Sequence, residues 1–200
     1  MLREIKTNIT YFQANKNVKT IAVSSANTHE GKTIFISNLA LMLAEAGKKV
    51  VLVDADFRSP FVNRIYKIEN GKGFAEFLSG APLEDLVVKS PFENLFILTA
   101  GETASNTTSE LLSDDKLNVL KTTLLKNFDY ILIDTPPLKA ISDAAVISTV
   151  CDGTVIIVQK ERTTEDDLTH VAEALSKVGS KILGVVMTGV KDNERIYHNF

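Results

Sequence analysis

Six short runs rich in β-branched residues constrain this chain more than any other feature. They cover residues 20–24, 50–54, 95–99, 130–134, 154–159 and 182–187, and several are apolar on consecutive rather than alternate positions. Alternation marks a strand with one wet face. A short continuous apolar run fits a strand covered on both faces, as in a parallel sheet. Helical patterns fall between the runs: residues 34–46 end at Gly47, residues 116–126 carry Leu117, Leu120 and Leu124, and residues 168–178 carry Leu168, Val171 and Leu175 before Gly179. Glycine just past a periodic stretch is a stop signal, because it accepts the left-handed turn that closes a helix. Strands alternating with helices predict an α/β fold, an open, mostly parallel sheet with helices on both faces. Thr164 with Asp167 reads as a capping box ahead of the last helix or as a solvated polar loop.

The chain has 200 residues and 44% hydrophobic content, enough for one domain with a sizeable core. Leu2, Ile5, Ile9 and Phe12 form one helical stripe, so residues 1–17 read as a helix and linker docked outside the sheet, residues 18–190 as the domain and residues 191–200 as a tail. The polar stretch 100–114 reads as a loop near the strand ends. Lys and Arg number 22 against 25 Asp and Glu, and the net charge of −3 gives no electrostatic reason to expect nucleic acid. Asp54, Asp134 or Lys160 interrupts every apolar run before the roughly 20 residues needed to span a bilayer. Met1 is followed by charged residues, unlike a signal peptide. The expectation is a cytoplasmic chain whose membrane connection, if any, goes through a partner. Cys151 reads as a buried small side chain, and three scattered histidines offer no zinc-ligand spacing.

Between the first run and the first helical pattern lies Ala26-Asn27-Thr28-His29-Glu30-Gly31-Lys32-Thr33. A strand-to-helix turn ending in Gly-Lys-Thr can cradle phosphates with backbone N–H groups and the positive helix end, with Lys32 on the terminal phosphates and Thr33 toward Mg²⁺. The full pattern would place glycine at 26, where this chain has alanine. Open α/β sheets bind ligands beyond the carboxyl ends of their strands. Three acids fall there: Asp54 and Asp56, followed by Arg58, after the second run, and Asp134 after the fourth. Mg²⁺ prefers oxygen ligands shared between one or two carboxylates and substrate phosphates, and Thr33, Asp54 and Asp134 can supply that shell. A lone aspartate after a strand is usually a turn residue, but three such acids together with a Gly-Lys-Thr turn point to a nucleotide with Mg²⁺.

At these residues the chain resembles the deviant Walker group of P-loop ATPases, and within it the cytoplasmic kinase domain of bacterial tyrosine kinases (BY-kinases) of capsule and exopolysaccharide assembly. The segment from Val53 to Pro60 resembles the second Walker A-like motif, and Asp134-Thr135-Pro136-Pro137 with Ser142-Asp143-Ala144 resembles the Walker B region. Ser109-Glu110-Leu111-Leu112, Gly184-Val185-Val186 and the N-terminal Arg3, Lys6, Thr7 and Asn8 match further motifs in order. The resemblance implies a P-loop NTPase-like three-layer sandwich and an ATP- and Mg²⁺-dependent protein-tyrosine kinase. It implies phosphorylation of tail tyrosines on a neighbouring copy in a homo-oligomeric ring. Implied partners are a transmembrane activator, or polysaccharide co-polymerase, that holds the chain at the inner face of the membrane, and a cognate tyrosine phosphatase.

Carried over by residue, Lys32 holds the terminal phosphates, Thr33 and Asp54 organise Mg²⁺, Asp134 is the Walker B acid and Asp56 orients or deprotonates the incoming tyrosine. Arg58 stabilises charge or pairs with a carboxylate. Relatives have Pro-Gly where this chain has Thr28-His29, an adenine-reading asparagine where Thr188 stands, and several tail tyrosines where Tyr197 is the one candidate phosphoacceptor. Two other readings stay open: a partition or positioning ATPase of the same fold, which would carry a signature lysine where Asn27 stands, and a nucleotide-binding regulatory subunit with weak catalysis.

Overall fold

The structure, a computed structural model, describes residues 17–102, 110–140 and 142–190. The expected N-terminal helix, residues 103–109 of the polar stretch 100–114 and the tail with Tyr197 lie outside them. All six expected strands are present: β1 (Thr20–Ser25), β2 (Val50–Asp54), β4 (Leu95–Leu98), β5 (Tyr130–Asp134), β6 (Gly153–Gln159) and β7 (Ile182–Thr188), with a two-residue β3 (Val88–Lys89). They form one sheet in the order β3-β4-β2-β5-β1-β6-β7, parallel throughout except for β3 against β4. β1, β2 and β5 are buried at every position, which is why their sequences run apolar without alternating.

Helix α1 (Lys32–Glu45) packs Phe35, Ile36, Leu39 and Leu43 onto one face of the sheet, over Ile21, Val23, Leu52 and Leu132. The short α2 (Val62–Tyr66) joins that layer, where the hydroxyl of Tyr66 donates to the Ser37 carbonyl at 2.8 Å. The opposite face receives α3 (Phe74–Leu78), α4 (Asp114–Leu124), α5 (Asp143–Thr149) and α6 (Glu165–Lys177), over Val51, Val53, Ile131, Ile133 and Ile156. Each large aliphatic or aromatic side chain buried this way contributes about 1.5–3 kcal/mol.

Of the two readings of Thr164 and Asp167, helix α6 begins at the capping box: the Thr164 hydroxyl accepts from Asp167 N–H and the Asp167 carboxylate accepts from Thr164 N–H. The periodic pattern did not reveal α2, α3 or α5, whose five, five and seven residues span less than two full turns. Cys151 is less enclosed than expected, half-buried, with its thiol donating to the Ile147 carbonyl and pushed up to about 12 by burial of the sulfur.

Candidate active site

β1 sits inside the sheet, between β5 and β6, and the chain turns from it directly into α1. The turn is the Ala26–Gly31 stretch, and it is held from behind. Glu30 is buried; its carboxylate accepts from Asn27 N–H at 2.9 Å, from the Asn27 amide at 3.2 Å and from the Thr163 hydroxyl. The Thr188 hydroxyl donates to the Glu30 carbonyl at 2.8 Å and to Val158 O at 3.2 Å. Thr188 thus stands against the loop's own backbone, with its hydroxyl engaged by two carbonyls. Gly31 has φ +93°, with Thr188 Cγ2 3.4 Å from where a Cβ would lie. His29 also has a left-handed φ, +62°, although its exposed side chain is not glycine's hydrogen. Lys32 opens α1 and is buried at 6% exposure, which commits a cation to the interior of the turn.

The acids meet at the strand ends. Asp54 and Asp134 are register partners across β2 and β5, and Asp134 is also paired with Val23 of β1. Both are buried. Asp54 accepts from Asp56 N–H through one oxygen and from Phe61 and Val62 N–H through the other, each at 3.1 Å. Burial nevertheless pushes it up to about 7, against those three bonds. Asp134 is held well above the ordinary carboxylate range by burial and then by the charge of Asp54, against the Thr33 hydroxyl that donates to it and the nearby Lys32 ammonium. Its Oδ1 is buried without a hydrogen-bond partner.

Two adjacent acids deprived of water, one with an unpartnered oxygen and a threonine hydroxyl beside it, form an arrangement that a divalent cation would relieve. The residues therefore fit Mg²⁺, which takes one or two carboxylates and leaves its other positions to phosphate and water. No group of three His, Cys, Asp or Glu residues able to enclose a metal occurs among the described residues, so phosphate oxygens would have to complete the shell.

Asp56 is half-buried on the turn after β2, its carboxylate accepting from Ser59 N–H at 3.1 Å, and Arg58 is exposed. The structure thus brings together Lys32, Thr33, Asp54 and Asp134, with Asp56 at their edge, and leaves Arg58 at the surface. Sequence reasoning missed the struts: Thr163 on Glu30, Asp167, which accepts from the Asn27 amide at 3.2 Å, and Lys139, whose N–H donates to Ala26 O at 3.3 Å. They lie more than 100 residues from the loop they support, and local spacing carries no signal for such pairs.

An AAA domain family model matches residues 18–186. A tyrosine-protein kinase of Bacillus subtilis, YwqD, is 35% identical over 190 residues, 94% of this chain and 80% of that one. The solved kinase domain of VpsO superposes with a TM-score of 0.82 at 33% identity, covering 95% of this chain and 97% of that one. The septum site-determining protein MinD of Pyrococcus horikoshii, complexed with Mg-ADP, gives 0.71 at 26% identity over 88% of this chain and 73% of its own.

Proposed function

The chain belongs to the AAA domain family and, within it, to the bacterial tyrosine-protein kinases, and on that footing we propose that it carries the terminal phosphoryl group of ATP to a tyrosine in the tail of a neighbouring copy. The observation that carries this reading is the Asp54–Asp134 pair beside Thr33 and Lys32. In the transfer, the tyrosine oxygen bonds to the terminal phosphorus as the bond to ADP breaks. Catalysis then consists of positioning and charge neutralisation. Lys32 neutralises the terminal phosphates from inside the turn. Thr33, Asp54 and Asp134 would hold Mg²⁺, which would supply charge neutralisation at the phosphates. Asp56 orients the phenol and accepts its proton, a contribution of about 10²–10⁴-fold. Arg58 is free to meet charge on the acceptor side.

By the same reading, Tyr197 is the acceptor, copies assemble into a ring, and a transmembrane partner of the polysaccharide machinery activates the chain while a phosphatase resets it. The family resemblance supports these steps. No helix among the described residues is long and apolar enough to cross a membrane, which fits attachment through a partner. Purified protein with labelled ATP, Mg²⁺ and the activator's cytoplasmic segment should label Tyr197. Label no higher than in Lys32→Met would remove the kinase reading.

The likeness to MinD keeps a positioning ATPase as the second reading. Asn27 at the place of that group's signature lysine weighs against it. Steady phosphate release and ATP-dependent dimerisation without phosphotyrosine would favour it.

A further inference from the structure

A second ammonium stands at the outer edge of the phosphate loop. After Asp134 the chain runs five residues to Lys139 and is fastened back to the end of β1 on the way. Leu138 N–H donates to Ser25 O at 2.8 Å and Lys139 N–H to Ala26 O at 3.3 Å. The backbone of Lys139 is therefore tied to the first residue of the loop. Its ammonium meets Asp167 Oδ1 at 2.5 Å, and the other oxygen of Asp167 accepts from the Asn27 amide at 3.2 Å. These residues edge a cleft of about 510 Å³ into which Thr28 and Arg162 also face. The Lys139 side chain is 43% exposed there, against 11% for Asp167.

We infer that Lys139 is a further catalytic residue, a second cation for the transferred phosphoryl group, parked on Asp167 until ATP arrives. The inference rests on the kinase reading above. In the transition state, negative charge spreads over three equatorial oxygens, and a cation from the outer edge of the loop would share its neutralisation with Lys32 and the metal. Among the described residues, Lys139 is the ammonium whose backbone is bonded to the loop and whose side chain opens on the loop's mouth. The lysine end of the pair is open to solvent, and exchanging one charge-assisted bond, to carboxylate, for another, to phosphate, keeps the ammonium partnered throughout. Asp167 would not be stranded, because it keeps the N–H of Thr164 and the amide of Asn27. The flexible lysine stem allows the swing without moving the backbone.

The test is calorimetric binding of Mg·AMP-PNP and Mg·ADP to the wild-type chain, Lys139→Met, Lys139→Arg and Asp167→Asn, with Tm recorded for each. Lys139→Met should weaken the triphosphate analogue by about tenfold or more while changing ADP by less than about twofold, because only the former carries the contacted phosphoryl. Lys139→Arg, which keeps the cation, should restore most of the difference, and Asp167→Asn, which frees the ammonium, should bind the analogue at least as well as wild type. Equal weakening of both nucleotides, or a lower Tm with neither affinity changed, would make the pair a structural pin and overturn the inference alone. A wild-type chain that binds neither nucleotide would remove the kinase reading and the inference with it.

Discussion

His29 occupies a left-handed backbone position that costs a side chain about 1–2 kcal/mol and glycine almost nothing. His29→Gly should therefore stabilise the nucleotide-free chain by about 1 kcal/mol, raising Tm by about 2–4 °C in a thermal melt. Asp134 poses the opposite problem, a buried acid beside another acid with one oxygen unpartnered. Asp134→Asn should raise the metal-free Tm at pH 8 by about 2–4 °C per kcal/mol of repulsion relieved, while abolishing phosphotransfer measured with radiolabelled ATP. A site that loses stability to hold its cation is the signature expected of function. These residues were legible in the sequence because a Gly-Lys-Thr turn and acids closing strands are local patterns. The bonds from Thr163 to Glu30 and from Asp167 to Asn27 were not, since they join residues 133 and 140 positions apart.

The elements that read clearly were those long enough to show a period. α1, α4 and α6 have 14, 11 and 13 residues, and each expected pattern fell within two or three residues of its bounds. α2 and α3 have five each, too few to separate a helix from a turn, and bonds from elsewhere in the fold hold them: Asp54 accepts from Val62 N–H and Ser37 O from the Tyr66 hydroxyl at α2, and Thr99 O accepts from Phe74 N–H at α3. α3 shows this best. Phe74 N–H donates to Thr99 O at 2.7 Å, and a Cβ on Gly73 would stand 2.2 Å from that same oxygen. Gly73→Ala should cost about 1–3 kcal/mol in chemical denaturation, through a clash that backbone must absorb. At α6 the capping box was one of two readings the sequence allowed, because its two residues stand only three positions apart. Thr164→Ala should cost about 1 kcal/mol by the same measurement.

At the scale of the molecule, two sets of carboxylates act in opposite directions on stability. Burial pushes Asp152 upward, but the Lys121 ammonium and the N–H groups of Lys19 and Thr20 overcome it and hold the group below the ordinary range. Asp167 is held low chiefly by Lys139. A depressed acid contributes stability above its unfolded value, near 3.8, and loses that contribution as pH falls through the folded one. Asp54 and Asp134 are raised, so in the metal-free chain their protonated forms favour folding at low pH. That advantage is lost as pH rises from the ordinary carboxylate range through about 7, the value of Asp54. Metal-free melts should peak in mildly acidic solution and decline toward neutrality, and Mg²⁺ with nucleotide should flatten the decline. The parallel sheet was readable from six apolar runs, whereas the strand order that sets Asp54 and Asp134 on adjacent strands was not, because spacing along the chain does not say which runs become neighbours. The account as a whole is tested most directly by intact mass after ATP and Mg²⁺ are added with the activator's cytoplasmic segment present. It predicts a gain of one phosphoryl group, localised to Tyr197 and absent in Lys32→Met. Phosphate release with no gain in protein mass would contradict it.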